Sequence, residues 1–314
     1  MSYSFLRESK LYIVYGGNKY RIYTSSALTF NQTFAEESYS VKTLHDQSKM
    51  FEGSSITKAN PASFSFDVPL TTEKDESIVL TLASDLSSNI LNSFDMYVQT
   101  GSSTFKLEGA IITSASFDFI PQNQFTMRVE GEGTKLTRAG DEDFDIDAAE
   151  SISSNAPFTI DSSSAEEFST RTPLIVYPVV TLNDGTSRNM DNILSVNLNI
   201  QNETEWTPYE TLQDSLNSTT MFPSAHTVGK RIISGEIRQY QTDTNVGQFD
   251  DFSTSTDLTI TAKKVSGDTD FFKIQINPAM YTARMSPEEV YTQSYDFRSL
   301  DNTDTVSTQI TEYI

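Results

Sequence analysis

The side chains of this sequence that could do chemistry are its acids, its two histidines and its one tryptophan, and their spacing says what that chemistry could be. Asp141, Asp143, Asp145 and Asp147 alternate as the first ligands of a calcium loop would. A loop of that kind starting at Asp141 needs glycine at its sixth place and glutamate at its twelfth, where this chain has Ile146 and Ile152. The run therefore reads as solvated acidic chain. His45 and His226 fall in two long polar stretches at places that do not correspond, and they read as ordinary polar loop residues. Glu36-Glu37 and Glu288-Glu289 could support glycosidase chemistry only if folding set two carboxylates at a suitable separation. Adjacent acids on a strand point to opposite faces, so surface solubility is their expected role. Trp206, with Tyr and Phe at alternate positions nearby, fits a carbohydrate platform or packing in a core or subunit interface, and packing is the expectation. No GxSxG, HExxH or P-loop pattern occurs, and the absence of cysteine removes thiol catalysis, disulfides and Cys-held metals. The sequence is thus expected to have no catalytic residue, no cofactor and no metal, and not to be an enzyme.

The elements that would carry these residues are arranged as a doubled unit. The stretch from Ala27 to Leu70 recurs in degenerate form from Ile193 to Tyr240, about 168 positions later. Leu28 and Phe30 alternate on a strand in the first copy, and Val196, Leu198 and Ile200 do so in the second. Acids follow each strand, then Lys42-Thr43-Leu44-His45 in one copy and Glu210-Thr211-Leu212-Gln213 in the other. Each copy runs on through a long loop with one exposed-looking aromatic, at Met50-Phe51 and at Met221-Phe222. The ends of the copies match too: Phe105 to Glu108 with Phe272 to Gln275, and Pro121 to Thr126 with Pro287 to Thr292, at offsets of 167 and 166. Four blocks in one order at a nearly constant offset indicate two copies of a whole domain rather than a short-period solenoid.

Other elements follow from local pattern. A hairpin turns at Gly16-Gly17-Asn18 between Leu11 to Tyr15 and Tyr20 to Tyr23. Phe34 to Pro61 has no sustained periodicity and is expected to be a long functional loop. Strands are expected at Phe64 to Leu70 and Ile78 to Leu82, then a helix capped by Ser84-Asp85 and running to about Phe94, its counterpart in the second copy being poorly marked. Asp95 to Gln99, Phe105 to Leu107, Ala110 to Ile120 and Phe125 to Glu130 complete the first unit as strands, and Gly131-Glu132-Gly133 ends it. The second continues through Leu258 to Lys263, Phe272 to Ile276 and Val290 to Phe297. The expected domains are 1–140 and 173–300, with an acidic, serine-rich linker over 141–172 and a polar tail over 301–314.

Charge narrows the partners. The net charge is −21. Residues 1–140 carry 15 acids and 12 bases, whereas 141–314 carry 28 and 10, nine of those acids lying in 141–170 with no base. A surface this acidic repels a phosphate backbone and is not expected to bind nucleic acid as a ligand, although it could let it pass. The first ten residues lack the apolar core of a signal peptide and no 18-residue apolar run occurs, so a soluble protein made in a cytoplasm, with no membrane partner, is expected.

With the doubled unit laid out, the sequence resembles the bacteriophage tail tube proteins. The residues that carry the likeness are Lys42-Thr43-Leu44-His45, the run Asn60-Pro61-Ala62-Ser63-Phe64-Ser65-Phe66, Phe105 to Ser114, and Phe125 to Gly133. It covers most of 11–138 and, more faintly, 174–300. The resemblance implies a mainly β fold: two tandem antiparallel β-barrel or sandwich domains, each with a long loop and about one flanking helix. It implies a structural virion protein whose rings stack into a tube that conducts DNA to the host cell. Family rings are hexameric, so two units per chain imply trimeric rings with pseudo-sixfold symmetry, and the acidic linker would bridge neighbouring domains. The implied partners are the protein itself, a tape measure, a tail terminator, baseplate or tail-tip proteins, and a sheath if the tail is contractile. Leu44, Met50, Phe51, Leu212, Met221 and Phe222 are the candidate anchors between subunits or rings. A channel wall that is mainly acidic or small and polar would leave the duplex free to slide. The rival expectation is a trimeric fibre or baseplate β-protein binding a cell-surface glycan through its aromatics.

Overall fold

The structure, a computed structural model, describes residues 9–22, 26–42, 50–69, 77–84, 86–87, 90–120, 123–152, 176–183, 187–206, 221–242, 256–264, 270–287, 289–299 and 309–313. Its first half runs β1 (Lys10–Tyr15), β2 (Asn18–Ile22), β3 (Ser26–Asn31), β4 (Phe34–Lys42), β5 (Met50–Ala59), β6 (Ala62–Pro69), α1 (Ser77–Ser84), β7 (Leu86–Ser87), β8 (Ile90–Leu91), β9 (Phe94–Gln99), β10 (Thr104–Phe119), β11 (Thr126–Gly133), β12 (Lys135–Gly140) and the single turn α2 (Ile146–Ala149). The second runs β13 (Val176–Asn183), β14 (Ser187–Asn189), β15 (Ile193–Trp206), β16 (His226–Tyr240), β17 (Thr256–Lys264), β18 (Asp270–Ser286), β19 (Thr292–Ser299) and β20 (Gln309–Tyr313). The fold is mainly β, and among the described residues every strand pair is antiparallel.

Period-two patterning builds the layers. In β6 the buried residues Ala62, Phe64, Phe66 and Val68 alternate with Ser63, Ser65 and Asp67, and β11, β10 and β15 alternate likewise. Their apolar sides meet those of β1 and β9 in one core, where Leu11, Ile13, Met96 and Val98 pack with Phe64, Phe66 and Val129, each full burial of such a side chain contributing roughly 1.5–3 kcal/mol. β10 belongs to both layers. Its start pairs with β9 and β12, its end with β11 and β15, and the change of layer falls at Gly109, whose φ of +57° favours glycine. Asp95 Oδ1 accepts the Gly109 amide at 2.9 Å and so fixes the bend.

From the β10–β15 pair the strands run in two directions in one order. On one side the path is β3-β6-β11-β10-β9-β1-β2, with β12 also on β10; on the other it is β15-β16-β19-β18-β17-β13-β14, with β20 also on β18. A close cross-strand packing is shared as well. Gly131 of β11 stands opposite Phe64 of β6, and Gly235 of β16 stands opposite Phe297 of β19. A Cβ on Gly131 would lie 2.3 Å from the Phe64 ring, and one on Gly235 would lie 2.6 Å from the Phe297 ring. In each case the ring covers the glycine backbone, but the glycine sits on the later strand in the first half and on the earlier strand in the second.

Several expectations are corrected. The helix and the strand around Ser84 exchange places: Ser77–Ser84 is helical, and the expected helix is replaced by the β7–β8 hairpin and the start of β9. Ile78, Val79, Leu82 and Ala83 satisfy helical spacing as well as Ile78, Leu80 and Leu82 satisfy alternation, and all five are buried; periodicity does not separate the two in so short an apolar run. Within the expected loop Phe34 to Pro61, Phe34–Lys42 and Met50–Ala59 pair as a two-stranded ribbon, β4 with β5. A ribbon paired only with itself needs no core-facing alternation, so it left no period to read. Gly131 to Gly133 continue β11, and β12 follows it. The polar tail carries β20, which adds to β18. Of the expected acidic linker, residues 141–152 are docked: Phe144, Ile146 and Ile152 pack with Val14 and Tyr97.

Candidate assembly surfaces

The two halves of the chain meet along β10 and β15. β15 adds to the end of β10 from Ser114↔Gln201 to Phe119↔Val196. Beyond it the far ends of β15 and β16 form an arm laid over the first half. Trp206 Nε1 donates to Glu132 Oε2 at 2.6 Å and Thr204 Oγ1 donates to the same atom at 3.2 Å. The His226 ring lies tilted against Trp206 with its centre 5.3 Å away, and its Nε2 accepts the Leu91 amide at 3.2 Å. Arg231, buried, donates to the carbonyl of Ala83 at 2.9 Å, a cation at the carbonyl end of α1. Leu91, Ile111 and Val228 fill the space beneath. Trp206 is thus engaged within the protein, and His226 begins a strand rather than lying in a loop.

The candidate anchors divide. Met221 and Phe222 lie at this same joint: the Met221 carbonyl accepts the Ala59 amide at 2.7 Å, and Lys135 Nζ stands 5.1 Å from the Phe222 ring centre. Met50 and Phe51 open β5, at the other end of the strand from Ala59. Leu44 and Leu212 lie outside the described residues, as does His45. Arg231 and Glu132 escaped the sequence reading, because a lone charge on a strand carries no spacing that separates a buried partner from a solvated one.

The eight strands from β3 to β18 turn a continuous polar face away from the core. Small polar residues dominate it: Thr29, Ser63, Ser65, Ser114, Ser116, Asn197, Asn199, Ser234, Ser294 and Thr282. Asp67, Asp118, Glu130, Glu236 and Asp296 share it with Arg128, Arg238, Arg284 and Arg298, a nearly balanced set where the whole chain carries −21. Arg284 pairs with Asp296 at 2.9 Å and Arg128 with Glu130 at 3.5 Å. A shallow cavity of about 630 Å³ lies on this face, lined by Asn197, Glu236, Thr282, Asp296 and Arg298 among others.

The first acidic residues of the former linker are bound to the opposite layer. Lys106 Nζ pairs with Glu150 Oε1 at 2.6 Å and Asp95 Oδ2 at 2.9 Å, and the Tyr97 hydroxyl donates to Glu150. Burial alone would lower the Lys106 pKa, but the two carboxylates outweigh it and raise it; burial also opposes the Glu150 charge, and Lys106 with Tyr97 holds that carboxyl below the usual range. Asp145 caps α2 through the Ala148 amide, and Asp147 pairs with Lys19 at 2.6 Å. The alternating aspartates therefore serve a cap and an ion pair. Among the described residues no cluster of His, Asp and Glu is arranged to hold a metal.

Comparison with curated proteins gives no match. A family model described as the Bacteriophage Baseplate Tube Protein Family matches residues 1–122 and 151–314; the stretch between holds β11, β12 and α2.

Proposed function

The chain belongs to the bacteriophage baseplate tube protein family, a structural component of the phage tail and baseplate tube, and from that premise we propose that each chain supplies two equivalent wall segments to a threefold ring. The observation that carries this reading is the single strand order found on both sides of the β10–β15 pair, together with the glycine–phenylalanine packing repeated across it. Three chains then present six segments, and rings stack through their arms and loops into a tube. Such a chain has no reaction to catalyse.

The polar face of the long sheet is the wall that DNA passes. A wall mainly acidic or small and polar was expected; this face is small, polar and nearly balanced, and the chain's excess acidity lies elsewhere. Passage without retention then rests on arginines held beside carboxylates, which leave no run of free cations to displace counterions from phosphates. The tape measure, tail terminator, baseplate or tail-tip proteins, and a sheath in a contractile tail, are the partners of this reading. Negative-stain electron microscopy of the purified full-length protein tests it. Hollow rods or rings of threefold symmetry are expected; discrete trimers that bind cells and never show a lumen would refute it.

A further inference from the structure

Two strand edges of the long sheet end without a neighbour among the described residues. β3 pairs only with β6, and residues 280–286 of β18 pair only with β19. Their counterparts in the other half are the two strands already joined, β15 and the end of β10. The shared registers make the correspondence residue by residue. Phe30 opposite Phe64 answers to Leu198 opposite Gly235, and Phe117 opposite Met127 answers to Met285 opposite Gln293.

Burial separates the joined strands from the open ones. Phe117 and Phe125 are 0% and 1% exposed at the joint, whereas Met285 and Tyr291, their counterparts, are 55% and 54% exposed. On the other edge Val196, Leu198 and Asn202 are buried, while Leu28 and Phe30 are only half-buried and Phe34 is 47% exposed. Both edges thus expose apolar side chains that the repeat buries wherever a neighbour is present.

We infer that β3 of one chain adds antiparallel to the end of β18 of a second copy in the register of the internal joint: Thr29 against Ser286, Phe30 against Met285, and Asn31 against Arg284. This deepens the tube-wall reading and rests on it. Three features of the two edges agree with the register. Phe30 and Met285 both point to the core side; Thr29, Asn31 and Arg284 all point to the polar face; and the two edges close on the same kind of neighbour, as a rotational head-to-tail contact requires. The arm β4–β5 then lies over the second copy as the arm of β15 and β16 lies over the first half.

The chain has no cysteine, so introduced pairs report without background. Opposed residues of an antiparallel pair lie about 4.5–5.5 Å apart at Cα, within disulfide reach. Full-length protein carrying Thr29→Cys with Ser286→Cys, and separately Asn31→Cys with Arg284→Cys, is assembled, oxidised mildly and run on a non-reducing gel, with Thr29→Cys and Thr282→Cys as the out-of-register control. Most chains of both in-register variants are expected to shift to covalent species of two and three chains, ending at three, with the control lower by about tenfold. Rods or rings that form without these cross-links overturn the joint and leave the tube reading standing. Cross-links in material with no lumen support the joint and sink the tube. Protein that neither assembles nor cross-links overturns both, and a ladder running past three overturns the closed ring.

Discussion

Lys106 shows how one side chain can hold two elements of unrelated sequence. Its ammonium joins Asp95, which fixes the β10 bend, to Glu150, which ends α2. Lys106→Met leaves two partly buried carboxylates without their cation, and a loss of about 2 kcal/mol is expected in urea unfolding at pH 7. Adding Glu150→Gln should recover part of it. The same network sets a pH dependence. The depressed Glu150 pKa gives stability that is complete above the ordinary carboxylate range and is lost as pH falls through its folded value, so the acid limb should shorten in Glu150→Gln. His226 behaves similarly at milder pH. Burial holds its imidazole below the ordinary range, and only the neutral ring can accept the Leu91 amide. Its contribution is complete above about pH 6.5 and is lost as pH falls through the folded value. The protection of the Leu91 amide against hydrogen exchange, taken relative to the intrinsic rate at each pH, should therefore fall between pH 7 and pH 5 in the native protein, and hardly change over that interval in His226→Gln, where it is already low.

At the scale of elements, the glycine–phenylalanine pairs decide how closely strands pack. A Cβ on Gly131 would lie 2.2 Å from the Ile111 carbonyl oxygen as well as near the Phe64 ring. Gly131→Ala should then cost about 1–3 kcal/mol, read by denaturant unfolding. Because the nearer obstacle is backbone, adding Phe64→Leu should not restore stability; a full rescue would show that the ring alone excludes a side chain. Much of this level was legible beforehand. The β1–β2 turn, the alternation of β6 and the matched ends of β10 and β18 follow from period and turn chemistry. The identity of Ser77–Ser84 was not legible, because a run of buried apolar residues fits either period.

For the whole molecule, the proposed passage of DNA turns on the balance of the polar face rather than on the charge of the chain. Glu130→Gln with Asp296→Asn removes the partners of Arg128 and Arg284. Assembled protein of this kind is expected to retain duplex DNA at low salt and release it as salt rises, while the native assembly retains little. Equal retention by the two in a filter or co-sedimentation assay would count against passage along this face. Arg231→Met, which frees the Ala83 carbonyl, should loosen α1 and lower stability by about 2 kcal/mol without altering the β3 edge.

Sequence alone carried the mainly β character, the repeated blocks at a nearly constant offset, and the lack of nucleophile or metal motifs, because these are properties of residue type and local period. What it could not carry were pairings between distant positions: which strand adds to which, that Asp147 meets Lys19 and Glu150 meets Lys106, and that the long sheet's exposed face is nearly neutral in so acidic a chain. Those depend on which residues the fold brings opposite one another. A strand's alternation defines two faces but never names the neighbour across its edge, and only the tertiary structure supplies that.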